Sequence, residues 1–170
     1  MTALYWILLF VALQRLTELA YARRNTRNLL ARGAVEVGSG HYPLFVLLHS
    51  GWLVAMAVLI PAGTPPDWGL IGALLLLQGM RLWIIATLGP YWTTRIITLP
   101  DMPVVKRGPF RFLRHPNYMV VVLEIAILPL AFAAAPIAVR IAIIFSILNL
   151  MLLAWRIRVE EAALKPRRAL

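Results

Sequence analysis

The chain has 170 residues, 61% hydrophobic and 14% charged, with a mean hydropathy of +0.79. Soluble domains carry about 25% charged residues, so the composition excludes an ordinary soluble domain and makes lipid the main solvent. The absence of cysteine excludes disulfides, thiolate metal sites and a cysteine nucleophile, and the net charge of +10 fits membrane orientation and anionic lipid headgroups better than nucleic acid.

Apolar runs of roughly 17–25 residues mark membrane-spanning helices. They predict five spans, near 2–22, 43–60, 68–88, 117–132 and 136–155. The fold class is therefore an all-α integral membrane bundle, one domain over 1–170, with a short cytoplasmic C-terminal helix. Span one has no basic residue ahead of it and no small-residue cleavage pattern, so it reads as a retained helix. Spans four and five, joined by the tight turn "AFAAAP", read as a hairpin.

Lys and Arg mark the cytoplasmic side of a membrane protein. Arg23, Arg24, Arg27 and Arg32 follow span one, and Arg95, Lys106, Arg107, Arg111 and Arg114 follow span three. The tail carries Arg156, Arg158, Lys165, Arg167 and Arg168, while the N-terminus, the 61–67 loop and the 133–135 turn carry none. The N-terminus is expected outside, with the two basic loops and the tail in the cytoplasm.

That orientation places "RHPNY" (114–118) where span four enters from the cytoplasm. Pro116 suits the first helical position, where its missing N–H costs nothing, and His115 before it is pushed out of helical dihedrals. First-turn N–H groups together with Arg114 make an anion site, and Tyr118 lies on the same turn. The plainer reading is a positive-inside anchor with a proline start.

Ionisable groups inside spans are costly and are usually paired or functional. Arg15 and Glu18, with Gln14 beside them, lie in span one; Gln78 and Arg81 lie in span three; Glu124 lies about two turns into span four. These groups can converge near the inner leaflet, with Glu124 paired to Arg81; the plainer reading is a local Arg15–Glu18 pair and a snorkelling Arg81. If span five continues as a helix, Asn149, Arg156 and Glu160 share a face. Glu160 and Glu161 then stand opposite the basic "RHPNY" entrance, as a ligand of mixed charge requires. Ordinary Arg156–Glu160 pairing at i, i+4 is the plainer account.

The pattern Gly108-Pro109-Phe110, then Arg114-His115-Pro116-x-Tyr118, a helical hairpin, and Arg156-x-x-x-Glu160-Glu161 resembles the isoprenylcysteine carboxyl methyltransferase family of integral membrane methyltransferases, over roughly residues 80 to 164. "YWTTR" (91–95) is similar to a bacterial branch acting on alkylpyrones or related phenolic lipids. The resemblance implies S-adenosylmethionine bound on the cytoplasmic side by Arg114, His115, Pro116, Asn117, Tyr118, Glu160 and Glu161. The acceptor would be a lipophilic small molecule carrying a hydroxyl or carboxylate oxygen, reaching the site laterally from the membrane lipids. Arg95, Arg156 and Glu124 are the candidate catalytic residues, with Trp92 and Arg81 as substrate contacts. The family continues past the paired glutamates with an aromatic-rich segment where this chain has "AALKPRRAL", so the cover over the cofactor is expected to be either incomplete or supplied by the 23–42 loop.

No metal is expected, since His41, His49 and His115 lack ligand spacing, and no nucleic-acid partner. "GSG" at 38–40 leads into a membrane helix and does not qualify as a dinucleotide loop. The alternatives are an NADPH-dependent membrane reductase of sterol-reductase type and a non-enzymatic lipid-binding membrane protein. The sequence sets neither the acceptor nor the oligomeric state.

Overall fold

A computed structural model describes residues 2–99 and 102–165; Arg167 and Arg168 of the basic tail lie outside the described residues. Five helices carry the chain: α1 (Ala3–Ala31), α2 (Tyr42–Leu59), α3 (Trp68–Leu88), α4 (Pro116–Leu130) and α5 (Pro136–Leu164). Four of them, all but α4, are long and apolar enough to cross a membrane. α4 has 15 residues, below the roughly 20 of a full crossing, and it packs along α5 as the expected hairpin. Leu47, Val58, Leu76 and Met151 are among many large apolar side chains left exposed around the bundle, as suits a surface solvated by lipid.

α1 runs to Ala31 rather than ending near residue 22. Its apolar run does stop there, but the helix continues amphipathically: Ala22, Asn25 and Leu29 are buried on one face, while Arg23, Arg24 and Arg27 are exposed. At about 1.5 Å per residue the whole helix is roughly 43 Å long, so its last turns project past an apolar slab. Gly33, at φ +85, ends it. α3 begins at Asp67, whose Oδ1 accepts from Gly69 N (2.8 Å) and Leu70 N (3.1 Å), satisfying two otherwise orphaned donors. The expected C-terminal helix is the end of α5 itself, continuous to Leu164.

The all-α bundle carries one small addition. β1 (Val35–Val37) pairs antiparallel with β2 (Ile96–Thr98), in the register Val35↔Thr98, Glu36↔Ile97, Val37↔Ile96. This ladder joins the two basic loops to each other and rests against α5.

Buried apolar residues form two clusters. The larger includes Leu4, Leu8, Trp52, Met56, Leu74, Ile125, Leu128 and Phe132, toward the end of the bundle that carries the α2–α3 and α4–α5 connections. The smaller comprises Ala22, Ile84, Trp92 and Val120, beneath the basic loops. Along the chain, a layer of polar and charged side chains lies between them.

Candidate active site

The site is built where the segment before α4 meets the end of α5. Gly108 sits at φ +56, and a Cβ there would lie 2.5 Å from Thr87 Oγ1. Only glycine allows the chain this conformation and this approach to the end of α3. Phe110 then packs against the smaller cluster, anchoring the turn Gly108–Arg111. Pro116 takes the first position of α4, preceded by His115 at φ −131, ψ 62. The His115 carbonyl accepts from Tyr118 N (3.1 Å) and Met119 N (3.4 Å). Pro116 has no N–H, so the anion site expected at this helix start reduces to the Asn117 N–H and the exposed Arg114.

Two polar pairs cross from this helix start to α5. His115 Nε2 lies 2.7 Å from Glu161 Oε1. The Tyr118 hydroxyl donates to Glu160 and accepts from Arg156 Nε at 2.7 Å. His115 stacks on the Tyr118 ring at 5.2 Å and 14°. The buried Arg156 guanidinium lies 5.7 Å from the Tyr118 ring and 5.5 Å from the Phe45 ring of α2. Desolvated cation–π contacts of this kind fix the orientation of a guanidinium.

These groups line one end of a cleft of about 870 Å³. Its polar end holds Arg114, His115, Asn117, Tyr118, Arg156 and Glu160; its other walls include Leu29, Trp92, Ile97, Leu99 and Met102. Two buried polar atoms on cleft-lining residues, Asn117 Oδ1 and Trp92 Nε1, have no hydrogen-bond partner among the described residues. Among the described residues, no group of three or more His, Asp or Glu could hold a metal ion.

Most of the expected site residues therefore meet here: Arg114, His115, Pro116, Asn117, Tyr118, Arg156 and Glu160 in the cleft wall, and Glu161 beside it on His115. Arg95 and Trp92 also line the cleft. Arg95, however, is largely exposed, ion-paired to Glu36 at 3.0 Å and laid over the Tyr42 ring at 4.9 Å.

Glu124 and Arg81 are not brought to the cleft. Both are about 3% exposed and they pair with each other in a six-residue network. Glu124 also accepts from Arg15 Nη2 at 2.6 Å and from Gln78. Glu18 accepts from Arg15 (2.9 Å), Arg81 (3.2 Å) and Gln14 (3.0 Å), and Gln14 donates to Gln78. The expected convergence and the Glu124–Arg81 pair are both present, tying α1, α3 and α4 together. Asn149, on α5 two turns before Arg156, is fully buried with no partner for its amide among the described residues.

Sequence reasoning missed Phe45, Glu36 and Asn25. Phe45 is one apolar residue within an apolar run. Glu36 matters only through the β1–β2 register. Asn25 is the polar member of the buried stripe on α1, and that i, i+3, i+7 stripe was the available signal.

Residues 70–166 match the isoprenylcysteine carboxyl methyltransferase (ICMT) family. The chain is 36% identical over 167 residues to YpbQ, described as an uncharacterized protein of Bacillus subtilis strain 168, covering 95% of this chain and 97% of that one. It is 26% identical over 155 residues to an uncharacterized protein of Haemophilus influenzae, covering 88% of each. No solved structure matches.

Proposed function

The chain belongs to the isoprenylcysteine carboxyl methyltransferase family of integral membrane proteins, and from that premise we propose that it methylates an oxygen of a lipophilic acceptor with S-adenosylmethionine. The observation that carries this reading is the single cleft whose polar end joins "RHPNY" to Arg156 and the paired glutamates, and whose remaining wall is largely apolar.

The residues present fit the cofactor. Its carboxylate suits Arg114 and the Asn117 N–H, and its hydroxyls and ammonium suit Glu160 and Glu161. The buried, unpartnered Asn117 Oδ1 is an acceptor in want of a donor. When bound, S-adenosylmethionine supplies an activated methyl group. Arg156, at the polar end, is the cation best placed to hold an acceptor oxyanion, because its neighbours fix its plane. Holding the acceptor oxygen in line and dry is the protein's share of the work.

The apolar wall favours a small amphiphile, such as a long-chain alkylpyrone or alkylresorcinol, over a protein C-terminus. β1 pairs with β2, and Ile96 and Ile97 of β2 line the cleft. The basic loops support an orientation with this face in the cytoplasm and the N-terminus outside, which reporters fused to the two ends check by reading opposite sides.

Labelled-methyl transfer tests the acceptor class, with alkylpyrones, alkylresorcinols and a farnesylcysteine analogue as substrates. Preference for either phenolic class is the expected result. Preference for the farnesylcysteine analogue would restore a prenylated acceptor.

A further inference from the structure

We infer that Asn25, on the part of α1 that extends past its apolar run, is a positioning residue for the acceptor side of the cleft. The inference rests on the proposed methyl transfer for its functional meaning and on geometry for its structural content. Asn25 is 4% exposed. Its Nδ2 donates to Gly89 O at 3.1 Å and to Trp92 O at 2.9 Å, so one amide spans both ends of the turn that leads from α3 toward β2.

That turn closes on itself through Trp92 N to Gly89 O at 3.0 Å, and Asn25 ties it to α1 from outside. Gly89 stands at φ +52, a conformation that glycine adopts without steric cost. Its backbone N–H closes α3 onto Ile85 O, and its carbonyl accepts both from Trp92 N within the turn and from Asn25 Nδ2. Three residues later Trp92 is 4% exposed, lines the cleft and keeps its Nε1–H buried without a partner among the described residues. The direction in which the Trp92 ring meets the cleft, and what its buried donor faces, depend on the backbone that Asn25 holds.

The same stretch of chain grips the wall again further on. Leu29 lines the cleft, Val35–Val37 pair with Ile96–Thr98, and Glu36 holds Arg95. The wall from Gly89 to Thr98 is thus set by residues 25–37, none of which fall in the 70–166 family match. Acceptor selectivity in this protein therefore depends on α1 and β1, and cofactor binding does not.

The test uses the full chain in detergent, labelled with 5-fluorotryptophan. The protein has six tryptophans, and Trp92→Phe identifies the Trp92 signal. Asn25→Asp keeps the size and removes both N–H donors; Asn25→Ala is the second variant should the carboxylate prevent folding. The expected result is a displaced or broadened Trp92 signal with the other tryptophan signals unmoved, and S-adenosylmethionine affinity within about twofold of the parent. With a long-chain alkylpyrone as probe, KM should rise about fivefold or more, the scale of losing two hydrogen bonds, while kcat changes less. An unmoved Trp92 signal would overturn the inference. So would a loss of cofactor affinity in step with that of the alkylpyrone, which marks a general structural role. A parent protein that binds no S-adenosylmethionine would instead defeat the proposed function, while the fluorine signal still decides what Asn25 holds.

Discussion

Replacing Glu124 by Gln is expected to lower the unfolding temperature of the detergent-solubilised protein by roughly 10 °C or more. Glu124 and Glu18 balance Arg15 and Arg81, two carboxylates against two guanidiniums, in a layer where Glu124 and Arg81 are buried and Arg15 and Glu18 partly so. Glu124→Gln preserves the shape but leaves two cations sharing one anion. Breaking a buried pair by removing one partner typically costs about 3–5 kcal/mol, and each kcal/mol moves the midpoint of a domain this size by about 2–4 °C. Arg81→Gln should destabilise comparably in the opposite sense of charge. The double variant should lose clearly less than the sum, because neither charge is then left unpaired by the other's removal. Thermal scans of the three variants check this; unchanged midpoints in both single variants would show that the network does not hold the helices.

Arg156→Lys is expected to lower turnover by about a hundredfold, the scale of losing one oriented group that stabilises developing charge. Lysine keeps the charge and loses both the planar face set between Phe45 and Tyr118 and the Nε–H that meets the Tyr118 hydroxyl. Arg95→Lys should cost only a few-fold. Its ion pair with Glu36 is solvent-exposed, and exposed pairs contribute about 0–1 kcal/mol. Single-turnover rates at saturating cofactor separate the two. The reverse order, with Arg95→Lys the damaging change, would return the acceptor-holding role to Arg95.

Much of this site was legible because local rules carry it. Proline at the first position of α4 fixes where that helix starts, and with it the side on which His115 and Tyr118 stand. The spacing of Asn149, Arg156 and Glu160 on one helix required α5 to continue past its apolar run, and it does so to Leu164. Charges inside spans demanded partners, and Glu124 and Arg81 found each other.

What stayed hidden depends on contacts between distant segments. Three-residue strands have no periodicity to read, so the β1–β2 ladder was invisible, and with it the engagement of Arg95 by Glu36. The extension of α1 was lost for a related reason: an apolar run measures where lipid ends, whereas Ala22, Asn25 and Leu29 bury a face against protein. Glu124 and Arg81 were read as site residues because a buried charge signals both catalysis and framework, and only the fold separates the two.

The central claim is that the "RHPNY" helix start and the paired glutamates of α5 form one S-adenosylmethionine pocket. Calorimetry on the detergent-purified protein tests it most directly, titrating S-adenosylmethionine and, separately, NADPH into the parent, His115→Ala and Glu160→Ala. The account predicts binding of S-adenosylmethionine and none of NADPH, with affinity falling at least about tenfold in each variant, since each loses a hydrogen bond to a charged group. Binding of NADPH in its place, or S-adenosylmethionine binding undiminished in both variants, would contradict it.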